Sequence, residues 1–207
     1  MKPDWRAQRR AGLWVIALSA LTAITMWLVI RYFAPPVMHA DSLSERVAFA
    51  FKCWCLAVLF SFATGIDAVA HERLQSPAFD PLAGYETKRM RINLRYLQNT
   101  LEQLIIFTAG LFGLAVYSDG AESMRAVEAT AAVWVLFRFA FWIGYHRSAT
   151  MRSLGAAGVA LGLLVLLYVV ARICLEWFGP IGASIAIGFF LSLEAYLFWI
   201  TRFREMP

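Results

Sequence analysis

The stretch Arg91-Ile-Asn-Leu-Arg95-Tyr-Leu-Gln98-Asn99-Thr-Leu-Glu102 places cations, amides and a carboxylate three and four residues apart. At about 100° per helical residue, Arg91, Arg95, Gln98, Asn99 and Glu102 share one arc of roughly 100°. Such a stripe offers guanidinium forks and hydrogen-bonding amides to an anion. A second stripe follows downstream, with Arg138, Phe141, Trp142 and Tyr145 on one face and Arg152 in phase just beyond. The two stripes predict a pocket for a small, multiply charged anion. The plainer alternative is that Glu102 and Arg138 neutralise each other inside a helix bundle. That leaves unexplained why Arg91, Arg95, Gln98, Asn99, Tyr145, Arg147 and Arg152 crowd the same level. Three cysteines are too few for a disulfide scaffold, and none has the spacing of a zinc site, so no metal is expected.

The elements that must carry these stripes follow from composition. Of 207 residues, 60% are hydrophobic and 16% charged, with a mean hydropathy of +0.61. A soluble domain averages about 25% charge, and a single soluble core of this length cannot hide so much apolar surface. Six apolar runs account for the excess: Ala11 to Ile30, Glu45 to Ala70, Leu104 to Tyr117, Ala129 to Tyr145, Ser153 to Ala171 and Ile181 to Ile200. None alternates strictly, so α-helices are the way to satisfy their backbone in lipid. Residues 71 to 90, with Pro77, Pro81 and Gly84, read as a surface loop. The first run exceeds the usual core of a signal peptide, and Met38-His39-Ala40 is a weak cleavage site, so it reads as a retained anchor.

A net charge of +5 does not point to nucleic acid, because the basic residues sit in short clusters between apolar runs. One side collects Lys2, Arg6, Arg9 and Arg10, then Arg73, Lys88, Arg89 and Arg91, then Arg147 and Arg152, and finally Arg202 and Arg204. The other side has little beyond Arg31, Arg46, Arg125 and Arg172. Six spans with both termini cytoplasmic fit this asymmetry, in the inner membrane if the source is bacterial. Trp5, Trp14, Trp177 and Trp199 read as interfacial aromatics. Asp67 and His71 read as interfacial polar residues, and Glu194 as a partner for a neighbouring cation or a residue of a subunit contact. Gly155, Gly158, Gly162, Gly182 and Gly188 read as sites of close helix packing.

At these same residues the sequence resembles the MAPEG family, membrane-associated proteins of eicosanoid and glutathione metabolism. Arg95-Tyr-Leu-Gln-Asn99-Thr-Leu-Glu102 is similar to the family's Arg-x-x-x-Asn-x-x-Glu. The segment from Arg138 through Phe141, Gly144, Tyr145, Arg147 and Ser148 to Arg152 is similar to the signature on its next helix. The match covers roughly residues 53 to 171. The resemblance implies an all-α integral membrane protein with a four-helix subunit over 45–175, and the helices in 1–44 and 176–207 lie outside that pattern. It also implies a homotrimer with glutathione as co-substrate, bound between subunits near the cytoplasmic face. By motif, Arg95, Asn99, Glu102, Arg138 and Tyr145 would hold the tripeptide, with Arg91 and Gln98 on the same stripe. Arg152 would stand near the sulfur, with Tyr145 as its rival there, and Arg73 would come from the adjacent subunit. Phe141 stands where several family enzymes have tyrosine, and Tyr96, Leu97 and Gln103 also differ from common family residues.

The activity implied is transfer of glutathione to lipophilic electrophiles, or reduction of lipid hydroperoxides with it. The apolar small molecule would arrive from the bilayer and the thiol from water. The alternative is a non-catalytic relative that binds a lipid or an apolar protein partner, since fold does not fix chemistry. Transport is disfavoured, because the sequence has no inverted repeat and no broken helix at mid-membrane.

Overall fold

The computed structural model describes residues 5–35 and 42–203. Lys2, Arg204 and Met38-His39-Ala40 lie outside the described residues, as do the side chains of Trp5 and Arg202. Among the described residues there is no strand, and five helices are long and apolar enough to cross a membrane. These are α1 (Trp5–Phe33), α2 (Leu43–Leu74), α3 (Lys88–Val116), α4 (Gly120–Arg147) and α5 (Ala156–Phe203).

Local chemistry sets the helix ends. Ser42 opens α2 with a reciprocal cap: its hydroxyl accepts from the Glu45 N–H at 3.2 Å, and the Glu45 carboxylate accepts from the Ser42 N–H at 2.9 Å. Helix α2 persists to Leu74, and α3 begins at Lys88. The expected loop over 71–90 is therefore shorter at both ends. Thr87 accounts for the second boundary, because its hydroxyl accepts from the Met90 N–H while donating to Glu72.

Helix α2 widens into a π-turn over Val58–Ala63. Widening takes carbonyls out of the regular ladder, and the Ser61 carbonyl accepts the Tyr96 hydroxyl at 3.0 Å. Tyr96 is fully buried, so its hydroxyl requires a partner inside the bundle.

The core lies between α2, α3 and α4. Phe49, Ala50, Leu111 and Val127 are buried there, and Phe107 stacks on Trp134 at 4.3 Å. Helix α1 is fastened to α4 by Trp27, whose indole N–H donates to the Thr130 hydroxyl at 3.0 Å. At the same end, Arg31 donates to the Glu122 carbonyl and Arg125 to the Ala34 carbonyl. Gly155 and Gly158 permit the close approach of α5 to α4, since a β-carbon would lie 2.5 Å from Phe141 and 3.0 Å from Phe137. Gly188 has no neighbour within 4 Å, so close packing does not explain it.

The fifth and sixth apolar runs fall on either side of a break in α5. Gly179 has φ 69°, which glycine adopts without strain, and Pro180 follows. A β-carbon on Gly182 would lie 2.9 Å from the Cys174 carbonyl oxygen. Residues eight apart in a straight helix are about 12 Å apart, so the chain bends sharply here. Beyond the bend, Ile181, Ile185, Phe189 and Phe198 are exposed, leaving an apolar surface suited to lipid.

Candidate functional site

The two stripes meet. A cleft of about 420 Å³ is lined by Arg95, Gln98, Asn99 and Glu102 of α3 and by Arg138, Phe141 and Tyr145 of α4. Arg152 and Ser153, from the 3-10 turn Met151–Gly155 before α5, close one edge. Ile16 of α1 supplies a further wall that the motifs do not signal. Helix α1 reaches this turn directly, for a β-carbon at Gly12 would lie 3.4 Å from the Ser153 hydroxyl.

Arg138 is the anchor at the back of the cleft. It is 2% exposed, and its two terminal nitrogens donate to the Asn99 side-chain oxygen at 3.1 and 3.0 Å. Its guanidinium carbon lies 4.7 Å from the Phe141 ring centre and 6.0 Å from those of Tyr96 and Trp134. Aromatic faces stabilise a cation that burial has stripped of water. The simple Glu102–Arg138 pairing is not what forms. Glu102 instead accepts from the Gln98 amide at 3.1 Å, and the Gln98 oxygen accepts from Arg95 at 3.4 Å.

Arg95, Gln98, Glu102 and Arg152 are exposed at the mouth, while Asn99, Phe141 and Tyr145 are half-buried. Arg152 lies over the Tyr145 ring, its guanidinium carbon 5.4 Å from the centre. The cleft thus sets three guanidiniums and one carboxylate around amides and a phenol. Such a donor set suits a molecule with two carboxylates and one ammonium.

Not every stripe residue arrives. Arg91 is exposed on the first turn of α3, and Arg73 sits in the last turn of α2 with its Nε buried and unpartnered; neither lines the cleft. Trp142, at the edge of the α4 stripe, lines a different space. There its indole N–H and His146 Nε2 converge on the Asn93 side-chain oxygen at 3.0 and 2.9 Å. That oxygen only accepts, so His146 Nε2 carries the proton. These groups, with His71, Glu72 and Arg89, line a separate polar cavity of about 270 Å³. Asn93 is buried, and its one sequence signal is an amide on the arc of α3 away from the stripe. Among the described residues no group of three metal-ligating side chains comes together.

Fold and cleft together define a helical membrane protein with a polar, arginine-rich pocket between its helices. The MAPEG family model matches residues 11–173, and the chain belongs to that family. The match extends upstream of the two motifs to take in α1, and it stops before the break in α5. An uncharacterized protein of Synechocystis sp. is 38% identical over 73 residues, 35% of this chain. The chain spans half the length of that relative. No solved structure matches.

Proposed function

We propose that this protein is a glutathione-dependent transferase or peroxidase acting on lipophilic electrophiles or lipid hydroperoxides. The observation that carries this reading is the convergence of Arg95, Asn99, Glu102, Arg138, Tyr145 and Arg152 on one cleft. Arg95 and Arg138 supply cations for the tripeptide's carboxylates, and Glu102 supplies an anion for its ammonium. Arg152 supplies positive charge where a thiol would ionise, and the thiolate is the reactive nucleophile. The Tyr145 hydroxyl is the competing donor to the sulfur. Phe141 offers no hydroxyl, and this favours the second reading, a non-catalytic member that binds a lipid or an apolar protein.

Assembly as a homotrimer belongs to the same proposal. Glu102 lies 14 residues before the end of α3 at Val116, about 21 Å along the helix axis, yet it is exposed. A carboxylate facing lipid at such a depth costs roughly 2.5–3.5 kcal/mol on insertion scales. A neighbouring copy over the cleft removes that cost, and Arg73 is the residue such a copy would offer. Six crossings also fit. The segment Met151–Thr201 spans 51 residues, about 76 Å as a straight helix against a hydrocarbon core of about 30 Å. Folding back at Gly179 returns the C-terminus to the cytoplasmic side.

Isothermal calorimetry of the detergent-purified protein with glutathione, at two pH values, tests the reading. Saturable heat that disappears in Arg95→Ala supports it. No heat at millimolar glutathione overturns it in favour of the binding-protein reading.

A further inference from the structure

Between Leu74 of α2 and Lys88 of α3 the chain passes through a loop that its own hydrogen bonds hold in shape. The Ser76 hydroxyl accepts from the Ala78 N–H at 3.3 Å and caps the 3-10 turn Pro77–Phe79, with Ala78 buried beneath it. The Asp80 carboxylate then accepts from the Leu82 N–H at 2.9 Å, and the Asp80 carbonyl from the Ala83 N–H at 3.3 Å. Gly84 completes the reversal with φ 74°, which glycine adopts without strain. This fixed loop turns its largest side chains outward. Phe79 is 71% exposed, Leu82 95% and Tyr85 67%, and Leu74 on the last turn of α2 is 68% exposed. Single exposed apolar residues are ordinary, but a cluster of them marks a contact.

We propose that this loop is an interfacial anchor, its apex inserted among acidic phospholipid headgroups of the membrane from which it emerges, with Lys88, Arg89 and Arg91 on their phosphates. The tether sets what lies within reach. Both ends of the loop are ends of helices long and apolar enough to cross a membrane. Leu82 is six residues from Lys88, so full extension would carry it at most about 20 Å from the boundary, and the turns keep it closer. Charge selects the lipid. Lys88, Arg89 and Arg91 are exposed at the start of α3, and Arg89 gives its Nε to Glu72 at 3.1 Å, which leaves its terminal nitrogens to the outside. Acidic headgroups attract basic residues placed beside a membrane helix. Tyr85 suits the same level, with its ring toward acyl carbons and its hydroxyl toward water. Four side chains fall far short of the roughly 20–30 residues a side in a stable protein interface, which favours lipid over a second copy. The anchor goes beyond the reading of the cleft and does not depend on it. It fixes the height of the first turn of α3, and with it the depth of Arg95 about two turns on.

The test uses the full chain in nanodiscs of phosphatidylcholine with a minority of phosphatidylglycerol. A nitrobenzoxadiazole fluorophore is attached at Leu82→Cys and, for comparison, at Glu86→Cys, a polar exposed position of the same loop. Cys55 and Cys174 are replaced by serine, and Cys53 is buried. At position 82 the emission should shift to the blue, and lipids carrying a nitroxide near the headgroup should quench it. Aqueous iodide should quench it several-fold less than at position 86. Lys88→Gln combined with Arg91→Gln, or omission of phosphatidylglycerol, should raise iodide quenching at 82 toward the level at 86. Equal iodide quenching at the two positions in the acidic bilayer puts the apex in water and overturns the proposal. Shielding from iodide without quenching by nitroxide lipid reports a protein partner, a second copy included, and also overturns it. Shielding that is indifferent to lipid charge and to both substitutions overturns the contact with acidic headgroups. None of these readouts involves glutathione, so the anchor and the reading of the cleft stand or fall separately.

Discussion

Arg138 and Asn99 are joined by two hydrogen bonds, both guanidinium termini converging on a single amide oxygen at 3.1 and 3.0 Å. The pair bridges α4 and α3 at the back of the cleft, so it positions the other cleft groups as well as facing the pocket. Asn99→Ala leaves a buried guanidinium without that acceptor. Hydrogen bonds to charged groups contribute about 1.5–3 kcal/mol, and a lower thermal midpoint in detergent is expected, with recovery in Asn99→Asp. An unchanged midpoint in Asn99→Ala would mean that the aromatic rings alone hold Arg138.

Tyr96 and Ser61 give a second test, of the π-turn. Tyr96→Phe removes the donor to the Ser61 carbonyl, which is buried within α2. The Ser61 carbonyl still accepts from the Thr64 N–H, so the loss is that of one hydrogen bond, about 0.5–1.5 kcal/mol. Hydrogen exchange over 58–64 should accelerate relative to the rest of α2. If exchange there stays at the wild-type rate, the tyrosine does not hold the widened turn.

Packing of α5 on α4 can be measured at Gly155. A β-carbon there would lie 2.5 Å from that of Phe141, so Gly155→Ala overpacks the contact by about 1–3 kcal/mol. Phe141→Gly, which removes that β-carbon, should relieve much of the loss, and the double-mutant cycle should show coupling between the two positions. Strict additivity would place the strain elsewhere.

Arg95 and Arg152 are assigned different tasks, and the difference is observable. Arg95→Ala should weaken glutathione binding with little change in the acidity of the bound thiol. Arg152→Ala should raise the pKa of the bound thiol by about 1–3 units, the usual effect of losing one nearby charge. Ultraviolet thiolate absorbance at neutral pH should therefore fall, and the rate with it. A titration unchanged in Arg152→Ala but shifted in Tyr145→Phe would move the role to the phenol.

Topology is checked by reporter fusions after Pro207 and within residues 119–125. Opposite sides are expected if α5 folds back at Gly179. Reports from the same side would mean that α5 crosses once.

The sequence by itself determined which residues share a helix face, because 100° per residue is local geometry. Arg95, Gln98, Asn99 and Glu102 were bound to lie together once Lys88–Val116 became helical. It likewise determined the membrane setting, since apolar runs of this length have no other solvent. Tertiary structure decided how each face is turned toward its neighbours. Trp142 shares an arc with Arg138 and Tyr145, yet it points to Asn93, because packing sets the rotation of α4 against α3. Arg91 stays outside the cleft as well: it stands in the first turn of α3, one turn before Arg95. Ile16 is another case, for nothing local marks a lone isoleucine in an apolar run as the wall of a polar cleft. Its position follows from contacts more than a hundred residues apart in sequence, such as Trp27 with Thr130, which the periodicity of one helix cannot encode.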